Sequence, residues 1–213
     1  MQTVLLTGFE PFDQDLINPS WEAARQLDGV QLSEDVQIVA RRLPCAFATA
    51  GECLAELIAE LRPVMVIATG LGPGRSDLSM ERVAINVNDA RIPDNLGAQP
   101  VDTAVVAGGP AAYFSTLPIK AMVKAVREAG VAASVSQTAG TFVCNQVFYL
   151  LQHALAGTAI RSGFIHVPPM PEQVTGVAQP SMALETLVKG LRVAVQAAWG
   201  TQVDIARTGG QVS

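Results

Sequence analysis

The sequence predicts a three-layer α/β/α sandwich built on a mostly parallel mixed sheet. Short apolar stretches of strand length alternate along the chain with segments whose apolar residues recur at helical spacing. This alternation is typical of a parallel sheet covered by helices on both faces. The 213 residues contain no internal repeat, linker or low-complexity segment, so we expect a single domain over residues 1–213.

The first part of the chain predicts three strands and two helices. Residues 3–7 form an apolar strand, and Asn18-Pro19 caps and begins a helix that runs to about residue 27 after the loop 8–18. Residues 36–43 form the second strand. Apolar residues then recur at helical spacing from 54 to 61, and Pro63 ends that helix. Residues 64–68 are wholly apolar and lead into the glycine-rich stretch "TGLGPGRSD".

The second part continues the alternation. Residues 82–87 and 113–117 read as strands, and a helix over 118–129 stops at Gly130. Residues 131–136 alternate small and apolar types like a buried strand, and a helix begins near Cys144 and ends before Gly157. Residues 163–167 form a strand that Pro168 and Pro169 terminate, and a last helix spans about residues 181–199.

Composition and charge exclude several classes of function. The net charge of −5 and the lack of any Lys or Arg run argue against a nucleic-acid surface. The start "MQTVLLTGFEPF" does not resemble a signal peptide, and no apolar run has membrane-spanning length. The three cysteines lack C-x-x-C spacing, so neither a disulfide framework nor a zinc site is predicted, and a reducing, cytoplasmic setting is the default.

The stretch "GLGPGR" after a strand invites a nucleotide-binding interpretation. It fits neither G-x-G-x-x-G nor the P-loop pattern, because no Gly-Lys-Ser/Thr follows. The segment after it reads as loop and strand, so no helix N-terminus is available to hold a phosphate. We therefore expect neither a cofactor nor a metal.

Cys144 and one of the two histidines are candidates for nucleophilic chemistry. Cys144 lies in the first turn of a predicted helix, where free N–H groups favour a thiolate, although a buried core cysteine is the alternative. His153 lies ~13 Å further along the same helix, too far for proton transfer. His166 lies near the end of a strand and shares a face with Phe164. The strands before Cys144 and around His166 are joined by a helix and form a crossover unit, which places two parallel strands in one sheet, so we expect the two side chains to meet at one edge.

A cysteine nucleophile needs a base, and the base needs an orienting partner. Glu81 in "SMERVAIN" is the candidate partner, because it follows a glycine-rich loop that begins at the end of another strand. A solvated surface glutamate is the alternative interpretation.

At these residues the sequence resembles the pyroglutamyl peptidase I family of cysteine peptidases. The similarity runs through nearly the whole chain in the motifs "TGFEPF…NPS", "GR…ERVAIN", "ARIPDN", "AGTFVCN" and "GFIHVPPMPEQ". It implies a Glu81–Cys144–His166 triad in a cytosolic, usually homotetrameric enzyme, with a sandwich related to the purine nucleoside phosphorylases. Such an enzyme hydrolyses the peptide bond after an N-terminal pyroglutamyl residue through a thioacyl intermediate, without a cofactor.

The resemblance also implies a substrate pocket. Phe9, Phe12, Phe142 and Val143 are expected to form apolar walls for the lactam ring, and backbone N–H groups near Val143 and Cys144 are suited to an oxyanion. Arg91 is a possible further oxyanion group, and a salt bridge to Asp89 or Asp94 is the alternative.

Several positions depart from the usual family pattern. Leu71 stands where many relatives have Gln, Pro73 interrupts the glycine run, Asp13-Gln14 replaces a common Gly-Gly, and Gln146 replaces a frequent His. The sequence leaves open whether Leu71 lines the pocket or packs in the core. Two alternative functions follow: a catalytically weak binding protein with altered selectivity, or a phosphorylase-like enzyme that uses "GLGPGR" for an anion.

Overall fold

The computed structural model describes residues 1–176 and 178–210, and within them the chain forms nine β-strands, five α-helices and a short 3₁₀ helix at Pro171–Gln173. The strands are β1 (Gln2–Phe9), β2 (Gln31–Ser33), β3 (Val36–Leu43), β4 (Met65–Leu71), β5 (Leu78–Glu81), β6 (Val83–Ile85), β7 (Ala112–Phe114), β8 (Ala133–Ser136) and β9 (Arg161–Val167). The helices are α1 (Pro19–Arg25), α2 (Ala50–Leu61), α3 (Ile119–Glu128), α4 (Val143–Leu155) and α5 (Leu184–Gly200). No helix in this described part has the length and apolar character needed to cross a membrane.

Seven strands form the main sheet in the order β2-β3-β1-β4-β9-β5-β8. Strands β3, β1, β4 and β9 run parallel to one another, while β2 runs antiparallel to β3. Strand β5 is antiparallel to β9 and parallel to β8. The prediction of a mostly parallel mixed sheet is therefore confirmed.

Two hydrophobic cores lie on the two faces of this sheet. On one face, side chains such as Ile67 and Ile165 pack with residues of α1, α3 and α5. On the other, Val66 and Phe164 pack with α2 and α4. The alternation along β9 separates Phe164 and His166 from Ile165 and Val167, as the sequence predicts. His166 consequently points toward the layer that contains α4.

The region after the glycine-rich loop differs from the prediction. Residues 78–81 form strand β5 in the main sheet, where the sequence indicated a loop. The predicted strand over 82–87 is shorter: β6 pairs with β7 in a separate two-stranded sheet. Arg82 separates β5 from β6, because its N–H donates to the Ser136 carbonyl and its carbonyl accepts from Ser115. Apolar periodicity alone does not reveal this change of sheet.

The connection around Cys144 also differs from the prediction. The expected parallel crossover from β8 to β9 is wrong, because β8 is parallel to β5 and β5 is antiparallel to β9. The loop 137–142 carries the chain from the end of β8 to the start of α4. This loop, rather than the strand direction, brings Cys144 to the edge of the sheet where His166 lies.

Candidate active site

A cavity of about 330 Å³ opens beside the carboxyl ends of β4 and β9. Its walls come from the loop after β1, the end of β4, the loop before α4, and a long excursion between β6 and β7. The sequence-predicted residues that line it are Phe9, Phe12, Leu71, Arg91, Phe142, Cys144 and His166. Residues distant in sequence thus converge on a single concave site.

The sulfur of Cys144 lies over Gly70 of β4. A Cβ atom built on Gly70 would be 2.7 Å from the Cys144 Sγ and 2.8 Å from the Phe164 ring. In the sheet register, Gly70 is the direct partner of His166 on β9. Because neighbouring strands are only ~4.8 Å apart, the glycine allows the sulfur to sit beside the histidine.

Glu81 approaches His166 from β5, which lies on the other side of β9 from β4. Ser79 is directly opposite His166, and Glu81 lies two residues further on the same face of the sheet. The Glu81 Oε1 and His166 Nδ1 atoms are 2.8 Å apart, and the Glu81 side chain is completely buried. The glutamate is therefore part of the sheet interior, which excludes the alternative of a solvated surface residue.

Cys144 occupies the second position of α4, where backbone N–H groups lack partners within the helix. Burial raises the pKa of its thiol well above the ordinary value, and the neighbouring Cys45 and Glu81 raise that pKa further. The cysteine's own backbone N–H opposes this effect. Desolvation therefore opposes the thiolate that the helix position alone favours.

Aromatic side chains form most of the apolar wall. The rings of Phe12 and Phe142 are 6.1 Å apart, and Phe47 meets Phe142 edge-on at 5.3 Å. Phe9 is buried and packs against Phe164. The Val143 side chain is fully buried in the core between α4 and the sheet, so what it can offer the cavity is its backbone N–H.

Leu71 and Arg91 both line the cavity. Leu71 ends β4 and is only 6% exposed. Arg91 is exposed and makes no salt bridge with any residue that the structure describes, so the sequence alternative of an Asp89 or Asp94 partner is not realised there. The Asp94 carboxylate instead accepts backbone N–H groups from Phe47, Leu96 and Ala98.

Cys45 and Arg75 are among the cavity residues that were not identified from the sequence. Cys45 lines the same cavity, and burial raises the pKa of its thiol to about 12, helped by Glu10 and Asp94. Arg75, in the glycine-rich stretch, turns inward and contacts Glu81 at 3.2 Å. The sequence shows a charged Arg75 within "GLGPGR", but it does not show that this side chain points toward Glu81. Across residues 1–176 and 178–210, no cluster of His, Cys, Asp or Glu could hold a metal ion.

Fold and site together combine an α/β/α sandwich with a cysteine, a histidine and a glutamate beside one cavity, and comparison with known proteins gives the family. Residues 2–201 match the family model for pyroglutamyl peptidase. The chain belongs to this family.

Curated relatives and solved structures agree with this family. Over the full length of both chains, the sequence is 79% identical to a pyrrolidone-carboxylate peptidase of Pseudomonas fluorescens and 63% identical to one of Cupriavidus taiwanensis. The crystal structure of pyroglutamyl peptidase I from Bacillus amyloliquefaciens superposes with a TM-score of 0.94 at 43% identity, covering 97% of this chain and 99% of that one. A mutant pyrrolidone carboxyl peptidase from Pyrococcus furiosus gives 0.90 at 44% identity, with 93% and 99% covered.

We predict that Gly70→Ala disables the site while the protein still folds. The new methyl group forces the Cys144 sulfur and the Phe164 ring to move, and a displacement of about 1 Å at reacting groups costs on the order of 100-fold in rate. The measurement is kcat/KM on a pyroglutamyl amide, together with the thermal midpoint.

Two other glycines serve as matched controls for that variant. Gly200→Ala introduces a methyl group into open space, so activity and stability stay at the wild-type level. Gly190→Ala crowds Leu78 in the opposite core, so it lowers the thermal midpoint without changing kcat/KM of the folded enzyme. Wild-type activity in Gly70→Ala would contradict the placement of the sulfur over this residue.

Proposed function

We propose that Cys144, His166 and Glu81 carry the pyroglutamyl peptidase reaction in this chain. The enzyme is a cysteine peptidase that hydrolyses the peptide bond after an N-terminal pyroglutamyl residue and releases pyroglutamate. The observation that carries the proposal is the position of the Cys144 sulfur over Gly70, beside a histidine that is 2.8 Å from a buried glutamate.

The character of the cavity suits a pyroglutamyl group. Pyroglutamate is a small lactam with an uncharged amide nitrogen, so a receptor for it needs apolar walls and a few hydrogen-bonding groups rather than a carboxylate for an ammonium ion. Phe9, Phe12, Phe142 and Leu71 supply such walls. A volume of about 330 Å³ leaves space for part of the following residue of a peptide substrate.

In the proposed mechanism His166 acts first as a base and then as an acid. Because burial raises the pKa of the Cys144 thiol, its proton passes to His166 as the sulfur attacks the carbonyl carbon. Glu81 holds the Nδ1 side of the ring, so Nε2 is the atom available for proton transfer. The imidazolium then protonates the departing amine, and water, deprotonated by His166, hydrolyses the thioester to release pyroglutamate.

The start of α4 is the proposed oxyanion site. Val143 and Cys144 are the first two residues of the helix, and their N–H groups are free of helical partners. Arg91 also lines the cavity and supplies a positive charge. We propose that it assists in stabilising the oxyanion.

Neither alternative function gains support from the site. A phosphorylase-like enzyme would need a free cation in the glycine-rich stretch, but Arg75 is engaged with Glu81 and the Thr138 carbonyl. The hypothesis of a weak binding protein rested on Leu71 and Pro73. Both line the cavity, yet neither displaces Cys144, His166 or Glu81 from the arrangement described above.

We propose further that the protein is a single catalytic domain over residues 1–213 and works in the cytoplasm as a homotetramer. The two cores share one sheet, which supports a single unit. Cys45, Cys53 and Cys144 are free thiols, as a reducing compartment favours. The partners are small peptides with N-terminal pyroglutamate, and neither nucleic acid nor membrane is expected.

Substitution of the three proposed catalytic residues should produce unequal losses. Cys144→Ser should fold normally but retain less than a few per cent of the wild-type kcat, since a serine hydroxyl is far less acidic than a thiol. His166→Ala should lose roughly 1,000-fold or more, because base and acid are both removed. Glu81→Gln should leave a larger residual activity, since the imidazole remains.

A fluorogenic pyroglutamyl amide, assayed with and without a thiol-alkylating agent, measures these losses. Circular dichroism of each variant controls for folding. A serine variant with substantial kcat would rule out Cys144 as the nucleophile, and negligible effects at His166 and Glu81 would rule out the triad.

Leu71→Gln tests the departure from the family pattern inside the cavity. A glutamine there can hydrogen-bond the lactam, so we expect kcat/KM for pyroglutamyl substrates to rise by roughly a few-fold to tenfold, the equivalent of one neutral hydrogen bond. If the side chain instead requires an apolar environment, the buried amide destabilises the fold by ~1–3 kcal/mol without improving specificity. Thermal midpoint and kcat/KM of the same variant distinguish these outcomes.

The proposed tetramer predicts a particle of about four times the chain mass in light scattering at micromolar concentration. Three large apolar side chains, Leu96, Val101 and Phe114, are 65–68% exposed in the excursion around β7 and are candidates for burial between subunits. Phe114→Ser should therefore weaken assembly. Only monomer in the wild-type protein would refute the assembly and leave the catalytic proposal intact.

A further inference from the structure

Arg75 lies at the centre of a hydrogen-bond cluster behind the proposed catalytic residues. Its Nη1 donates to the Ser136 Oγ at 3.0 Å and to the Ser79 Oγ at 3.3 Å. Its Nη2 donates to the Thr138 carbonyl at 2.9 Å and to the Glu81 Oε1 at 3.2 Å. One guanidinium group therefore connects β5, the end of β8 and the loop that leads to Cys144.

The Glu81 Oε1 atom receives both the histidine and the arginine. His166 Nδ1 is 2.8 Å from it, and Arg75 Nη2 is 3.2 Å from it. The other carboxylate oxygen, Oε2, is buried and accepts no hydrogen bond from any described residue. The orientation of this carboxylate therefore depends on the two contacts at Oε1, and one of them is Arg75.

Charge balance gives Arg75 a second effect. The Glu81 side chain is fully buried, and a buried carboxylate requires a compensating positive charge. Arg75 Nη2, 3.2 Å from the Glu81 Oε1 atom, supplies that charge.

The glycine-rich stretch creates the space for this arrangement. A Cβ on Gly72 would be 2.7 Å from the Arg75 Cγ and 3.2 Å from the His166 Cβ. Gly74 has a φ of +79°, in the left-handed region that favours glycine. The stretch "GLGPGR" thus allows the backbone to pass between the histidine and the arginine stem before the side chain turns inward.

We propose that Arg75 is a positioning residue for the reaction: it holds the Glu81 carboxylate against His166 and supplies the positive charge that balances this buried carboxylate. It acts through Glu81 and does not contact the reacting atoms. This inference rests on the proposed roles of Glu81, Cys144 and His166.

A double-mutant cycle between Arg75 and Glu81 tests the proposal. Arg75→Met, which keeps the aliphatic stem, should lower kcat by about 10- to 100-fold, a part of the roughly 100- to 10,000-fold that a positioned base provides. If the arginine acts through the glutamate, Glu81→Gln/Arg75→Met is no slower than Glu81→Gln alone. The inference is overturned if the effects of the two changes on kcat multiply in the double variant, or if Arg75→Met keeps the wild-type kcat.

A second measurement separates positioning from general stability. Arg75 is 29% exposed and lines the open cavity, so millimolar methylguanidinium can reach the space left in Arg75→Ala. We expect it to restore kcat several-fold in Arg75→Ala and to have no effect in Arg75→Ala/Glu81→Gln. Equal responses of these two variants to methylguanidinium would also overturn the inference. Arg75→Lys replaces Arg75→Met in the cycle if the methionine variant does not fold.

Arg82 provides the matched control on the same edge of the sheet. It follows Glu81 directly and donates to the Gln137 side chain, outside the cavity. Arg82→Met should keep the wild-type kcat and show no rescue. A Glu81→Gln variant with wild-type kcat would refute the proposed triad itself, whereas an impaired Glu81→Gln beside an unimpaired Arg75→Met would refute only the role of Arg75.

Discussion

The site depends on unequal crowding on the two sides of His166 in the sheet. On the β4 side its neighbour is Gly70, which leaves space for the Cys144 sulfur; on the β5 side Glu81 fills the space and contacts the ring. A side chain at position 70 would push the sulfur away from the histidine. The placement of the Cys144 sulfur and the Glu81 carboxylate on opposite sides of one imidazole thus follows from a single glycine and the strand order β4-β9-β5.

The reversed direction of β5 is the second requirement. Because β5 runs antiparallel to β9, its last residue lies beside Phe164 and deep in the core layer, rather than at the open carboxyl edge. Glu81 therefore reaches His166 from the buried side, and its side chain is not exposed to solvent. Strand β8 is parallel to β5, so its end also lies away from the edge of the sheet where His166 lies. The loop 137–142 brings the chain back to that edge. That loop also forms part of the cavity wall.

The sequence predicted the layers of the fold and the candidate site residues better than the strand pairing and the loops that connect them. Helical spacing, Asn18-Pro19 and the apolar strands identify most elements, because those signals are local. The pairing of β5 is not local: its "LSME" contains two polar residues, and only the neighbouring strands make it a strand. Glu81, Cys144 and His166 were identified from motifs. The inward turn of Arg75 depends on contacts with Ser136 and Thr138 some 60 residues away, which no local pattern encodes.

The apolar character of the cavity determines how the chemistry has to proceed. Cys144 is one of the residues that line this cavity, and its desolvation raises the pKa of the thiol despite its position at a helix start. In the proposed mechanism the thiol transfers its proton to His166 during the attack, so the rate depends on the alignment of the imidazole. In this proposal, binding of the pyroglutamyl group and dependence on the orientation of His166 both follow from the same burial. This coupling accounts for the presence of a fully buried Glu81, with Arg75 as its counter-charge, in a site whose substrate carries no charge at its amino end.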